Sequence, residues 1–489
     1  MNLEFKHKRK KWPWFLFIVF VVVFGLGFYA YSFVKNFTPV KLLQSDFVKQ
    51  QIIKQVGEDN AEIINFLPDL LGFSEPKTYL LLFLNNTELR PGGGFIGSYA
   101  TLQLNQGQTN LLQMGGTENI NTSSSGSGAP QIILDKLNVD KWYFRDSNWS
   151  PDFVISSEKT LEFYKNGNNL GANEISGVIG ITTDVLEGLM KITGPFTIDG
   201  INFTSDNVIE KLEYEVEYGY QNRDIAFTER KDIMEVFFIS LMDHLKNDLF
   251  SNLDKYKALV DTLLKEKNIV IYSLTSDLAK ILKENNWSGQ MAETSGDYLM
   301  WVDANLAALK TDRVIKRDLN YTLVFDKNKY KAIASTTYTH SGSFDWRTTN
   351  YLSYTRVYVP TGSELISAKV GDKTWIRDAK DNTFGVDTGI ENGKKWFGVY
   401  FSIEPGNKKT ISFEYSLPDS IIDNVKNKSY NLSIQKQIGS NNTDLTIHLE
   451  FDKTNIVSAI PAEEELKWGD RNYDFETALI EDLNFEIKF

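Results

Sequence analysis

Tyr79-Leu80-Leu81-Leu82-Phe83-Leu84 runs into Asn85-Asn86-Thr87-Glu88-Leu89-Arg90-Pro91, then Gly92-Gly93-Gly94, before Phe95-Ile96-Gly97-Ser98-Tyr99 resumes. An unbroken apolar run of this length suits a strand buried on both faces, because a half-exposed strand would alternate. Pro91 and the glycine triplet interrupt the strand and force a loop. Beyond the loop, Phe95 to Leu104 reads as a second strand, Asn105-Gln106-Gly107-Gln108 as a hairpin turn, and Thr109 to Met114 as its partner.

Further along, Gly115 to Ala129 is low in complexity around Thr122-Ser123-Ser124-Ser125-Gly126-Ser127-Gly128, the composition of a mobile loop. Trp142-Tyr143-Phe144-Arg145-Asp146-Ser147-Asn148-Trp149-Ser150-Pro151-Asp152-Phe153 then crowds charge and aromatic rings together. Ser156 to Lys165 reads as a helix and Ile175 to Ile181 as a strand. Thr183 or Asp184 caps a helix over Val185 to Ile192 that Thr193-Gly194-Pro195 closes. Strand character over Phe196 to Ile201, a helix near Asp206 to Tyr214 and an amphipathic helix from Thr228 to Leu245 extend the pattern. These elements predict a mixed α/β domain over residues 77–317. From Asp318 onward the period becomes two, as in Tyr321-Thr322-Leu323-Val324-Phe325 and Ala332 to His340, with turns rich in Asn, Asp, Gly and Ser. That texture predicts an all-β sandwich region over 318–489, in one unit or two. The fold class is therefore α+β and multidomain.

On the N-terminal side, Trp12 to Val34 carries no charge, while Lys6, Lys8, Arg9, Lys10 and Lys11 precede it. Such a run is long enough to span a bilayer, and its basic flank stays in the cytoplasm. The reading is a cytoplasmic tail over 1–11, a single transmembrane helix over 12–34, a helical stalk or packed helix over 35–76, and the bulk of the chain outside the cell. The formal charge of −12 opposes a nucleic-acid partner, whose phosphates require cations. With no cysteine and four histidines, disulfide scaffolds, thiolate chemistry and multi-histidine metal sites are excluded or disfavoured. A large outer region without cysteine fits a bacterial cell envelope.

The string from Tyr79 to Tyr99 resembles the signature of domain of unknown function 4012, found in membrane-anchored bacterial proteins. Arg145-Asp146-Ser147-Asn148-Trp149-Ser150-Pro151-Asp152-Phe153, Gly177-Val178-Ile179-Gly180-Ile181, Glu229-Arg230-Lys231, Asp345-Trp346-Arg347 and Gln435-Lys436-Gln437 are similar to that family too. The resemblance implies no activity by itself. A remoter resemblance, in the order of parts, is to the LytR-CpsA-Psr phosphotransferases, which attach glycopolymers from lipid pyrophosphate carriers to cell walls. Glu88-Leu89-Arg90, Arg145-Asp146, Gly194 and Arg223-Asp224 through Glu229-Arg230-Lys231 carry it. Two details depart from that family: its Arg-x-x-Arg-Gln run is Glu229-Arg230-Lys231 here, and its first acid is Glu88 instead of Asp.

Phosphoryl transfer needs cations for the developing charge and hard oxygen ligands for a metal ion. Arg90, Arg145 and Arg230 are the candidate catalytic cations, and Arg223, Gly93 and Asn86 the candidate substrate-binding residues. Glu88, Asp146 and Asp152 are the candidate ligands of a magnesium ion. Each has a plainer role open to it: Glu88 and Arg90 can staple a tight turn, and Arg145, Asp146 and Asp152 can form a salt-bridge network beneath Trp142 and Trp149. Ser98 lacks the second glycine of a nucleophile elbow and His244 has no visible partner. Trp375, Trp396 and Trp468 suit either a sandwich core or a sugar-stacking surface. Two functions follow as expectations. One is a phosphotransferase-like domain binding polyprenyl-pyrophosphate-linked glycopolymer in envelope assembly. The other is a non-enzymatic surface module that binds glycan or another protein.

Overall fold

The computed structural model of the protein describes residues 69–120, 128–167, 169–249, 251–463 and 469–489. The expected tail, the membrane span over 12–34, the stalk up to residue 68 and Trp468 lie outside those residues. Among the described residues no helix is long and apolar enough to cross a membrane. The chain forms two compact units whose segments alternate along the sequence. Of the described residues, one unit holds those up to Phe83, those between Ile96 and Ser124 and those between Leu161 and Ser288; the other holds Leu84–Phe95 and the described residues between Ser125 and Thr160 and between Gly289 and Phe489. The single boundary expected at 317/318 is thus replaced by several crossings, and both the glycine loop and the Trp142–Phe153 segment join the C-terminal unit.

The first unit is mixed α/β. Its five-stranded sheet runs β3 (Gln108–Gly116), β2 (Phe95–Asn105), β1 (Lys77–Asn85), β4 (Ile175–Thr182), β7 (Ile269–Ser273). Tyr79 to Leu82 in β1 are all buried, so neighbouring residues that point to opposite faces are both covered. The β2–β3 hairpin turns where Gln106 and Gly107 take φ of 50° and 76°, as the Asn105–Gln108 signal requires. The helix Thr183–Thr193 buries Val185, Leu186, Leu189 and Met190, and Leu253–Lys265 buries Tyr256, Val260, Leu263 and Leu264. Spacings of three and four put each set on one stripe. The two helices meet at Gly188, where a Cβ would lie 2.5 Å from Leu259 Cδ1. The N-cap is Thr182, one residue before the expected cap, and its hydroxyl donates to Asp184 Oδ2 at 3.1 Å. Phe196 to Ile201 resolves into a small hairpin of β5 (Phe196–Ile198) and β6 (Ile201–Phe203). The long helix begins at Asp232, later than expected, and ends at Asp248.

The second unit contains two seven-stranded sheets. One runs β13 (Lys373–Ile376), β12 (Glu364–Val370), β16 (Lys408–Ser416), β10 (Lys329–His340), β9 (Ile315–Asp326), β18 (Thr443–Glu450), β20 (Asn472–Ala478). The other runs β14 (Asp387–Glu391), β15 (Lys394–Ile403), β11 (Tyr351–Pro360), β8 (Asp297–Asn305), β17 (Ser429–Gln435), β21 (Leu483–Lys488), β19 (Ser458–Ile460). Their facing side chains, among them Leu299, Leu319, Phe401, Phe413 and Ile447, form one apolar core, so a single sandwich accounts for the region. The β9–β10 turn is a two-residue hairpin with Lys327 and Asn328 at φ of 49° and 65°. β8 lies upstream of the predicted start at 318. Its nine residues are all buried, so it never alternates, and it occupies the middle of its sheet between β11 and β17.

β8 also carries charge into the core. Asp297 Oδ2 accepts from the hydroxyls of Tyr321 and Tyr430, the latter at 2.6 Å, and Oδ1 accepts from the Tyr298 N–H at 2.7 Å. Burial raises its pKa from 3.8 to about 6, against the pull of those three donors. Between the two values the folded chain keeps a proton that the unfolded chain has released, so stability falls as pH rises through that window. The expected loss is about 3 kcal/mol between pH 4 and pH 6, with no further change from this group above. Urea titrations at several pH values, read by hydrogen exchange in β8 and β17, should show this slope in the wild type and its absence in Asp297→Asn.

Candidate functional site

Arg90 follows β1 on the loop that Pro91 and the glycines shape, and it is 3% exposed. Its guanidinium is heavily committed: Nε donates to Asp146 Oδ1 at 3.1 Å, one terminal nitrogen to Asn305 O at 2.5 Å, and the other to Glu88 Oε1 at 3.2 Å. The Phe95 ring covers it at 5.3 Å. Burial works against the cation, but Glu88 and Asp146 outweigh it and raise the Arg90 pKa. Burial also raises the Glu88 pKa, with Arg90 and Lys310 pulling it back. Lys310 Nζ stands 3.6 Å from Glu88 Oε2, and Arg145 Nε 3.5 Å from Asp146 Oδ2. Arg145 is 40% exposed and lies against the Tyr143 ring at 4.9 Å.

The loop is fastened by its backbone as well. Gly92 N–H donates to Asn148 O, Asn148 Nδ2 to Gly94 O, Gln437 Nε2 to Arg90 O, and Asn86 Nδ2 to Gly439 O. Gly93 has φ of 124°, and a Cβ there would lie 2.8 Å from Leu84 Cδ1 and 2.9 Å from Ile438 Cγ2. At Gly94 a Cβ would fall 2.6 Å from the Asn85 backbone, which cannot move as a side chain can. Gly94→Ala is therefore expected to destabilise the unit by about 3 kcal/mol, measured as a lowered urea midpoint. The glycines here permit close backbone packing, and both Asn86 and Gly93 hold protein against protein.

Asp152 has partners of its own. It accepts from the N–H groups of Val154, Ile155 and Met291 and from Asn392 Nδ2, so it starts the helix Phe153–Asn166 and ties it to the β14–β15 turn. Burial raises its pKa, and the backbone donors oppose the rise. Beside it Arg356 donates to Trp149 O at 2.8 Å and pairs with Glu391 at 3.2 Å, which also accepts from Ser150 Oγ. The charged and aromatic Trp142–Phe153 segment is thus bonded along its length. Glu88 and Asp146 close on the Arg90 cation, while both carboxylate oxygens of Asp152 accept from donors. Among the described residues no cluster of three acidic or histidine side chains is placed to hold a metal.

Arg223 and Arg230 belong to the first unit. Arg223 pairs with Glu215 at 2.6 Å, and Arg230 pairs with Glu217 at 3.4 Å and Glu118 at 3.6 Å, beneath the Phe227 ring at 4.4 Å. Lys231 donates to Glu118 and to Gly97 O, each at 2.6 Å, and burial lowers its pKa despite Glu118. These cations gather next to a short π-helical turn, Glu215–Gly219, a distortion often found at functional positions. His244 lies on the surface, stacked on Phe196 at 4.6 Å. Trp375 packs, partly buried, on the sandwich core, and Trp396 on the smaller apolar cluster around Tyr298.

Sequence reading missed Asn305, Asp303 and Asp312 and gave no role to Gln437, though that residue ends a family-like string; the four are joined by hydrogen bonds to one another or to the Arg90 loop. Asp312 Oδ2 accepts from Leu89 N–H and Asn305 Nδ2, while Gln437 bonds both Asp303 N–H and Asp303 O. The signal was Asp303 and Asn305 after the apolar run Tyr298 to Val302, since a charge in a buried strand needs partners.

Residues 74–217 match the family model described as Protein of unknown function (DUF4012). Nothing among the curated proteins matches the chain. Among solved structures the chain is similar to a putative nutrient binding protein from Legionella pneumophila, at 8% identity and a TM-score of 0.25, over 40% of this chain and 71% of that one. It is also similar to native leukotriene A4 hydrolase from Saccharomyces cerevisiae, at 10% identity and a TM-score of 0.20, over 36% of this chain and 28% of that one. TM-scores this low establish no shared fold.

Proposed function

We propose that this chain is a non-enzymatic interaction protein of the bacterial envelope, anchored by residues 12–34 with its two folded units outside the cell. The observation that carries this reading is the state of Arg90, whose donors are taken up by Asp146, Asn305 and Glu88 inside the second unit. A pyrophosphate would have to displace carboxylates and a carbonyl from a buried cation, leaving them without partners. Asp152, equally, has its carboxylate filled by N–H donors. The partner on this reading is a cell-wall glycan or another envelope protein.

A second reading keeps the lipid-pyrophosphate ligand of the LytR-CpsA-Psr resemblance but places it at the first unit's cations. It is favoured by the buried Nε atoms of Arg223 and Arg230, neither of which has a hydrogen-bond partner among the described residues. Farnesyl pyrophosphate titrated into the detergent-solubilised full chain, with and without magnesium, separates the two. The interaction reading expects no saturable binding, together with cosedimentation on purified cell-wall glycan or capture of an envelope protein. Saturable binding lost in Arg230→Met would overturn it in favour of the second.

A further inference from the structure

Lys394 opens β15 directly after the turn at Asn392 and Gly393, whose φ of 45° and 69° mark a two-residue hairpin. Its side chain is turned inward and the residue is 6% exposed, with Nζ 4.7 Å from the centroid of the Tyr298 ring. Tyr298 is immobilised beneath it, its hydroxyl donating to Gln435 Oε1 at 2.6 Å. Met291, Tyr358 and Trp396 belong to the same apolar cluster as Tyr298. Among the described residues the ammonium has no hydrogen bond and no ion pair, only the ring face and the longer-range field of Glu293.

The neighbouring charges are engaged elsewhere. Glu391 is held by Arg356, Tyr358 and Ser150, and Asp152 by Asn392 and backbone donors. Glu293 is exposed, so its field is weakened by water. A buried lysine ordinarily recovers its lost hydration by pairing, and here only a cation–π contact is supplied. Desolvation therefore favours the neutral amine, and it lowers the Lys394 pKa against the opposing pull of Glu293. A lysine whose charged form is disfavoured by burial, held on an apolar wall at a hairpin end, is the arrangement of an activated amine nucleophile.

We propose that Lys394 is an acyl-acceptor site, an amine that takes a small activated acyl group. In this step the Nζ lone pair forms an amide bond to the acyl carbon. The bond from that carbon to its leaving group breaks, the leaving group departs with the electron pair, and the proton shed by Nζ passes to solvent. Trace acetic anhydride, applied to the detergent-solubilised full chain and read peptide by peptide in a mass spectrometer, tests this without a variant. Lys426, with a side chain 73% exposed, is the reference. Lys394 is expected to acetylate about threefold faster than Lys426 or more at pH 7.5, because a lower pKa leaves a larger neutral fraction at some cost in nucleophilicity. The advantage should shrink toward pH 10 and vanish in urea. A Lys394 rate at or below that of Lys426 at pH 7.5, or an advantage that survives in urea, would overturn the proposal.

Discussion

Arg90→Met is expected to destabilise the second unit by about 3–5 kcal/mol, the range found when one partner of a buried ion pair is removed. The substitution keeps much of the side-chain volume and deletes the charge. Asp146, 1% exposed, would then lose its charge-assisted bond, and Asn305 O would lose its donor. Urea unfolding followed by hydrogen exchange in β8 and β17 reads the loss. The companion variant Arg90→Met with Asp146→Leu should recover part of it, since an apolar pair leaves no orphaned carboxylate. A cost below about 1 kcal/mol for the single variant would mean that the guanidinium is not structurally committed, which would return it to the list of ligand-binding cations.

Arg317→Met should have an effect of the same size, about 3–5 kcal/mol, for a sharper reason. Arg317 Nε donates to Asp303 Oδ2 at 2.7 Å, and one terminal nitrogen donates to Asp312 Oδ1 at 2.6 Å and to Tyr351 Oη at 2.9 Å. Asp303 stands on β8 and Arg317 on β9, so the ion pair joins the two sheets across the core. Asp303 Oδ1 accepts in addition from Tyr338 Oη at 2.6 Å and from Thr355 Oγ1. Without the guanidinium, Asp303 and Asp312 are two buried carboxylates that have lost the cation they share. Wild-type and variant urea midpoints at pH 7 check the size; a loss below about 1 kcal/mol would mean that the ion pair does not hold the two sheets together.

These two arginines also mark where sequence reading stopped. A charge beside Pro91 and three glycines makes Arg90 conspicuous locally, whereas Arg317 sits in an ordinary alternating β9 run. Their roles depend on partners far along the chain: Arg90 and Asn305 are 215 residues apart, and Asn86 and Gly439 are 353 apart. No local pattern encodes such pairings. The regularities that sequence does carry, period two in β10 and spacings of three and four in the helix Leu253–Lys265, name the element and its buried face. β8 escaped because burial on both faces erases alternation.

What the amino-acid sequence determined by itself was the strand–glycine loop–hairpin beginning at Tyr79, the helices that follow it, and the alternating strands after residue 318. It did so because backbone preference and apolar period act within a few residues. What only the tertiary structure decided was ownership: the loop carrying Arg90 and the segment carrying Asp146 and Asp152 belong with the C-terminal sandwich, and Arg223 and Arg230 with the α/β unit. The physical reason is desolvation. Once Arg90, Asp146 and Asp152 are taken out of water each must find its hydrogen-bond partners wherever the packed chain supplies them, and here those partners lie in the sandwich unit.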